Sequence, residues 1–120
     1  MRVTKAFLIF NMYKDYMKFN KKLLKANYKG LYLFEILVDE EKSAYQYYLI
    51  DFDNLNVTWQ ETPFEKYDVK FSTDDATMLK ITNKQVNPSK LVAEKKIKAE
   101  GKQEYIIKLT SDFFPTAPKL

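Results

Sequence analysis

The chain has no cysteine and no histidine among its 120 residues. Without cysteine it can form neither disulfide bonds nor thiolate centres, and without histidine it lacks the commonest general base and the usual zinc or copper ligands. A nucleophilic mechanism would have to use Ser, Thr, Lys or Asp with no histidine partner, which is uncommon. We therefore expect a protein that is not an enzyme and that uses no cofactor.

Glycine and arginine are also scarce. Gly30 and Gly101 are the only glycines, so a glycine-rich phosphate-binding loop is impossible. Arg2 is the only arginine, and lysine supplies nearly all of the positive charge behind the net charge of +4. Because proteins that read nucleic-acid sequence rely on the bidentate guanidinium group, we expect no nucleic acid as a partner. The lysines are compatible with transient contact with an anionic membrane surface, and a solvated surface is the simpler interpretation.

Long apolar runs are missing as well. No segment is long enough to span a membrane, and the apolar stretch at residues 6–10 is short. No small-residue cleavage site follows that stretch before charged residues resume, so it does not continue as a signal peptide. We expect an intracellular, cytoplasmic protein.

Apolar and aromatic residues, in contrast, are abundant: 46% of the chain is hydrophobic, with nine Tyr, nine Phe and one Trp. A chain of this length forms one domain with a real core. Such side chains either fill that core or line a cavity that accepts an apolar guest. Periodicity alone favours the filled core.

The first half of the chain predicts helix and then strands. Residues 4–27 have helical spacing, with an apolar stripe opposite a lysine face, and form one helix or two with a bend near residues 15–20. Four runs rich in β-branched and aromatic residues predict strands at 31–38, 44–52, 55–60 and 67–71, joined by short polar turns as an antiparallel meander. The first two strands are apolar on both faces, so they are either covered on both sides or meet a partner, as in a homodimer.

The second half predicts two capped helices, a strand and a final helix. Ser72 or Thr73 can cap the first helix, and Asn87 followed by Pro88 is a typical start for the second, which places helices over about 74–94. Alternation then predicts a strand at 96–101, and apolar spacing predicts a C-terminal helix at 103–114. Asp51, Asp53 and Asn56 do not form a calcium loop, because the required Gly and Glu are absent, so we expect no metal site.

The order of these features resembles a known family. Lys84, Asn87–Pro88, the apolar run 91–93, the run Lys96-Ile97-Lys98 and Gly101 are similar to the second half of the sterol carrier protein 2 type lipid-transfer domain, of the SCP-2 sterol-transfer superfamily. The resemblance extends over roughly residues 28–113. Asn83 and Lys95 stand where the family usually has glycine.

The resemblance implies a fold and a function. The fold is α+β, a single domain over residues 1–120 with a five-stranded, mostly antiparallel sheet covered on one face by several helices and an apolar tunnel between them. The function is non-catalytic binding or transfer of a fatty acid, fatty acyl-CoA, sterol-like lipid or phospholipid. Lys84, Lys90 or Lys108 near the mouth would steer an anionic headgroup. The residues expected to line the tunnel are Tyr32, Phe34, Ile36, Tyr48, Ile50, Trp59, Val69, Phe71, Met78, Leu79, Leu91, Val92, Tyr105, Ile106 and Leu109.

One alternative remains open at this point. The same fold with a closed core would serve as a structural or protein-interaction module, which could dimerise through the outer face of the sheet. The second apolar face of the first two strands motivates this alternative.

Overall fold

The computed structural model describes residues 3–115. The N-terminal segment forms two helices, α1 (Lys5–Phe19) and α2 (Lys21–Asn27). The Thr4 side chain caps α1 by accepting a hydrogen bond from the Phe7 N–H. Asn20 separates the helices, because its side-chain amide donates to the Tyr16 carbonyl and its φ of −133° is not helical. The bend expected near residues 15–20 is therefore a break between two helices.

Five strands form one sheet in the order β3-β2-β1-β4-β5. The strands are β1 (Leu31–Asp39), β2 (Ala44–Asp51), β3 (Asn56–Gln60), β4 (Val69–Asp74) and β5 (Lys98–Gly101). The sheet is mostly antiparallel, as expected, but the predicted meander is wrong for β4, which pairs parallel to β1. Alternation along a strand shows which face is buried, but it does not show which strand lies beside it. The sequence pattern is therefore the same whether β4 pairs with β3 or with β1.

The outer face of the sheet, opposite the helices, is partly covered by the chain itself. Leu33 points to this face and is only 1% exposed, although it lies outside the main core. The connection at residues 61–68 must return past β2 and β1 to reach β4, and its Tyr67 ring lies 5.9 Å from Nζ of Lys70 on the outer face. Leu33 is therefore shielded from solvent within the chain, whereas Leu31 and Leu37 on the same outer face are half-buried.

The first helix of the second half begins later than predicted. α3 spans Asp75–Thr82, and its N-cap is Asp74, whose carboxylate accepts from the Thr77 N–H at 2.7 Å. The prediction of Ser72 or Thr73 as the cap was wrong, because β4 continues through both residues and the Ser72 hydroxyl donates to Glu35 across the sheet. The next helix, α4 (Pro88–Ala93), does begin at the Asn87 cap.

Two lysines adopt the left-handed backbone conformation near these helices. Lys95, where the family usually has glycine, has φ of +61°. At the other such position Asn83 is right-handed with φ of −83°, and its neighbour Lys84 takes the left-handed conformation with φ of +60°. The chain thus makes both turns without glycine, at the strain cost that a Cβ brings there.

Both glycines pack against Asp68, Gly30 against its side chain and Gly101 against its backbone. A Cβ on Gly30 would lie 2.5 Å from the Asp68 carboxylate, and one on Gly101 would overlap the Asp68 carbonyl and lie 2.8 Å from the Val69 Cα. Both residues have positive φ. A side chain at either position would collide with Asp68 and strain the backbone. The two glycines are therefore needed where the chain passes close to the start of β4.

The predicted C-terminal helix is mostly absent. α5 spans only Gln103–Ile106, and residues 107–115 form turns, bends and irregular backbone. The consecutive residues Phe113 and Phe114 are both buried, whereas consecutive side chains of a helix point about 100° apart. A turn can direct both rings inward, which explains why the helical prediction over 103–114 fails after Ile106.

Within residues 3–115, none of the helices combines the length and the apolar character that crossing a bilayer requires. All five helices pack around the sheet so that the buried core lies between them and its inner face.

Candidate functional site

The inner face of the sheet carries two rows of apolar side chains. Strand register aligns one row across all five strands as Trp59, Tyr48, Phe34, Phe71 and Ala99. The second row, one step along the strands, consists of Val57, Ile50, Tyr32, Val69 and Gly101. All eight sheet residues predicted to line a tunnel lie on this face, since Ile36 follows Phe34 in the same direction.

The helical residues of the prediction cover this face with one exception. Met78 and Leu109 are buried in the same cluster as the sheet residues. Partly buried side chains that pack against it include Leu91, Val92, Tyr105 and Ile106. Leu79 is half-buried but is not part of this packing. The structure brings the predicted set together, and their role in contacting a ligand stays a prediction.

Helix α1 supplies interior aromatic residues that the sequence prediction did not include. The Phe10 ring stacks on Tyr48 with ring centroids 4.4 Å apart, and Phe7 meets Trp59 edge-on at 5.7 Å. Tyr13 lies deeper and contacts Phe52. The aromatic residues at 7, 10 and 13, three apart, were a usable signal, because that spacing places them on one side of a helix.

The two C-terminal phenylalanines were also missed, although both lie at the centre of the interior. Phe113 packs against Tyr32 and Phe34, with ring centroids 5.4 and 5.8 Å apart. Phe114 packs against Phe34 at 5.5 Å and against Phe10 at 5.7 Å. The two rings thus occupy the space between α1 and the middle of the sheet.

Side-chain donors hold this C-terminal segment in place. The Tyr13 hydroxyl donates to the Phe113 carbonyl at 3.0 Å, inside the core. Nζ of Lys84 donates to the Ser111 carbonyl and, at 2.7 Å, to the Phe114 carbonyl. Lys84 was one of three lysines expected to steer a headgroup, and here its ammonium group is occupied by backbone carbonyls.

The polar groups of the interior are neutral. Burial is the main cause that raises the pKa of Tyr13 and of Tyr32 well above 10, and burial raises the pKa of Tyr48 to about 12, against a hydrogen bond with Thr4 that lowers it. The Tyr48 hydroxyl donates to the Gln46 side-chain oxygen at 2.6 Å, and Thr4 donates to the same oxygen. An interior that is aromatic, uncharged and internally hydrogen-bonded suits contact with hydrocarbon.

A small groove of about 250 Å³ that includes Tyr32 and Tyr105 borders this interior, and so do two larger grooves. The first, the α2 groove, has a volume of about 570 Å³ and lies between α2 and the C-terminal segment; Leu24, Tyr28, Ile107 and Phe114 are among its walls. The second, the α4 groove, has a volume of about 540 Å³ and is lined by Val92, Lys95, Ile97, Lys98, Ala99, Gln103 and Ile106. Val92 and Ile106 connect the second groove to the predicted residue set.

The corner between α1 and α2 is both apolar and positively charged. Phe19 is 85% exposed and Leu23 is 52% exposed. Residues 14–29 contain six lysines and one aspartate, so their net charge of +5 exceeds the +4 of the whole chain. The excess of positive charge in the chain is therefore concentrated at this α1–α2 corner, which composition alone does not show.

Comparison with known proteins gives a consistent result. The family model of the SCP-2 sterol transfer family matches residues 14–113. No curated protein sequence matches the chain significantly.

Several solved structures share the fold. The sterol carrier protein domain 2 of Helicoverpa armigera is 24% identical with a TM-score of 0.69, over 88% of this chain and 83% of that one. Apo sterol carrier protein 2 of Yarrowia lipolytica is 16% identical with a TM-score of 0.69, over 92% and 97%. Sterol carrier protein 2 of Aedes aegypti, in complex with palmitate, is 16% identical with a TM-score of 0.63, over 91% and 99%.

The structural likeness confirms the expected α+β fold. The family model spans most of the chain, from the last part of α1 through α5, and includes the two inward-facing rows of the sheet. The chain therefore belongs to the SCP-2 sterol transfer family.

Proposed function

We propose that this protein binds and transfers lipids by enclosing a single apolar chain between the inner face of its sheet and the covering helices, without covalent chemistry. The observation that carries the proposal is the uncharged, almost wholly aromatic and aliphatic inner face, in a chain whose family model matches over residues 14–113. Fatty acid, fatty acyl-CoA, sterol-like lipid and phospholipid are the candidate ligands. Palmitate, which the A. aegypti protein holds, is the first to test.

The free energy gained by burying an acyl chain determines how much of the chain the site must enclose. Each buried CH₂ group contributes about 0.8 kcal/mol. A micromolar complex corresponds to about 8 kcal/mol, and association also costs several kcal/mol in lost freedom of motion. Most of a C16 chain must therefore be buried, which a shallow surface contact does not achieve.

Delipidated full-length protein provides the test. We expect palmitate to displace a fluorescent fatty acid at micromolar concentration, and native mass spectrometry of the protein as purified to show co-purified lipid. A protein that binds no acyl chain, acyl-CoA or sterol at these concentrations would refute the proposal.

A pair of adjacent residues on α4 offers a matched comparison. Val92 lines the α4 groove and packs on the core, whereas its neighbour Ala93 is exposed. A charge at Val92 places a carboxylate beside the enclosed chain, which is unfavourable. We expect Val92→Asp to weaken palmitate binding at least tenfold and Ala93→Asp to leave the affinity within about twofold.

Transient docking on an anionic membrane is the second part of the proposal. The α1–α2 corner supports it, because Phe19 and Leu23 project from a surface with a net charge of +5. A lysine near an anionic bilayer contributes about 1 kcal/mol, and apolar side chains add to this by entering the interface.

Vesicle sedimentation can test this docking. We expect the protein to bind vesicles that contain phosphatidylserine more strongly than vesicles of phosphatidylcholine alone, and to lose this preference at high salt. Phe19→Ser should weaken binding, and the control Tyr45→Ser, on the outer sheet face, should not. Equal binding of both variants and the wild type would place the contact elsewhere.

The alternative, a closed interaction module, gains support from the dense packing around Phe113 and Phe114. Its dimer interface would be the outer sheet face, where Tyr45 is 38% exposed and its ring lies 6.3 Å from that of Tyr47. Sedimentation of the full chain discriminates the two: a stable dimer that Tyr45→Lys dissociates and that binds no lipid would favour the module.

A further inference from the structure

We propose that residues 110–115 form an internal plug, and that a single fatty acyl chain binds by displacing the rings of Phe113 and Phe114 from the interior. The C-terminal plug, as we name this segment, would therefore regulate access to the site. This inference rests on the proposed lipid-binding function. It adds that the lipid occupies the space that the two rings fill in the closed protein.

The size of the two rings matches one acyl chain. Both residues are buried, and together they contact the inner-face residues Tyr32 and Phe34 and the α1 residues Phe10 and Tyr13. Their side chains comprise about fourteen carbon atoms, all apolar, so they fill a volume close to that of a C14–C16 chain. The same wall that contacts the rings would contact the chain after they leave.

The way the plug is attached allows it to leave without unfolding the domain. It contains neither a helix nor a strand. Among the hydrogen bonds described for residues 110–115, those that join the plug to other elements are donated by Tyr13 and Lys84. Of the remaining ones, those from Phe113 and Asp112 to Thr110 lie within the plug, and the Thr110 N–H donates to the carbonyl of Lys108 just before it. Release therefore breaks three hydrogen bonds donated by side chains and the ring contacts that the acyl chain would replace, and it leaves the sheet ladders intact.

The α2 groove gives the displaced rings a place to go. Phe114 and Pro115 already form part of its wall, and its volume of about 570 Å³ exceeds that of two aromatic rings. Two of its lining residues, Leu23 and Ile107, are 52% and 60% exposed. Moving the rings over these side chains would cover apolar surface that the closed arrangement leaves in water.

Competition between plug and lipid makes a quantitative prediction. When the binding-competent state is only a fraction of the population, the apparent dissociation constant is the intrinsic one divided by that fraction. Changes that remove or loosen the plug must therefore strengthen lipid binding. We expect the double variant Phe113→Ala, Phe114→Ala to bind palmitate at least tenfold more tightly than the wild type.

A second variant loosens the plug and keeps its rings. Lys84→Met removes the ammonium group that bonds to the Ser111 and Phe114 carbonyls. We expect it to strengthen palmitate binding about threefold to tenfold. Lys80→Met, an exposed lysine of α3 on the same chain segment, is the matched control and should leave the affinity unchanged.

The wild-type protein carries an independent readout, which also serves if the double variant does not fold. Saturating palmitate should increase hydrogen exchange at the backbone amides of Asp112 and Phe113, because the plug opens when the chain binds. Exchange in β1 and β2 should not rise.

The outcomes separate this inference from the proposed function. If the wild type binds palmitate while the double variant and Lys84→Met bind it no more tightly, or if palmitate protects the plug amides, the plug is a fixed wall and the inference is overturned. If neither the wild type nor any variant binds palmitate, acyl-CoA or a sterol, the proposed function is refuted. The inference about the plug is then refuted too, because no lipid is bound that could displace it.

Discussion

Replacing Tyr13 by phenylalanine removes one oxygen atom from the centre of the protein. The Tyr13 side chain is fully buried, and its hydroxyl donates a 3.0 Å hydrogen bond to the Phe113 carbonyl. The variant leaves that buried carbonyl without its donor, which costs about 1–3 kcal/mol. We therefore expect Tyr13→Phe to lower the free energy of unfolding by this amount at pH 7, as measured by urea denaturation.

High pH should reverse that disadvantage. Burial raises the pKa of Tyr13 above its ordinary value of 10, and the neighbouring hydroxyls of Tyr28, Tyr16 and Tyr32 raise it further. The folded state thus keeps its proton where the unfolded state releases it. The stability contribution is complete below pH 10 and is lost as the pH rises above 10, by about 1.4 kcal/mol per pH unit.

The phenylalanine variant has no proton to lose at this position. Every other ionisable group is the same in both proteins, so the difference between the two stability curves isolates Tyr13. We expect the initial deficit of about 1–3 kcal/mol to shrink above pH 10 and to vanish between about pH 11 and pH 12. The control is Tyr45→Phe on the outer sheet face, which should stay within about 0.5 kcal/mol of wild type at pH 7. A stability difference between wild type and Tyr13→Phe that stays constant from pH 8 to pH 11.5 would refute the reasoning.

Two further substitutions test the packing of the elements. Gly101→Ala should lower the free energy of unfolding by more than about 2 kcal/mol in urea denaturation, because the added Cβ overlaps the Asp68 backbone at a φ of +133°; a loss below about 0.5 kcal/mol would contradict this. Asp75→Ala should cost about 1–3 kcal/mol in the same assay, because the carboxylate accepts from the Lys5 and Ala6 N–H groups at the start of α1. Asp75→Asn, which keeps one acceptor oxygen, should lose about half as much, and equal losses for both would exclude the hydrogen bonds as the cause.

The sequence was most informative where the pattern was local. Alternation in residues 67–71 correctly placed Val69 and Phe71 on the inner face, and the Asn87–Pro88 pair correctly marked the start of α4. Both signals depend on neighbouring residues only, so no knowledge of the tertiary structure was needed.

Long-range choices could not be predicted in the same way. Whether β4 pairs with β3 or with β1 depends on the path of residues 61–68, and the alternation is the same in both cases. Strand β4 also continues to Asp74, and the Ser72 hydroxyl donates to Glu35 of β1. The N-cap of α3 therefore lies one or two residues after the predicted Ser72 or Thr73.

The interior was underestimated for a related reason. Phe10 belongs to a helix whose apolar stripe could equally have covered a surface. Phe113 and Phe114 lie at the end of the helix predicted over 103–114, which in the structure ends at Ile106. Only the tertiary structure shows that these rings converge on Phe34. The family resemblance predicted a space between the sheet and the helices, but it did not predict that the rings of Phe113 and Phe114 fill that space in this chain.

The parallel pairing of β4 with β1 has a consequence for how the protein folds during synthesis. Residues 31–60 can form three antiparallel strands by local turns, but the other edge of β1 is completed only by residues 37 positions further along. Until β4 emerges from the ribosome, the long apolar strand β1 exposes unpaired backbone groups. A chain ending before Val69 should therefore aggregate through this edge, because the order of synthesis leaves the central strand with one open edge until β4 is made.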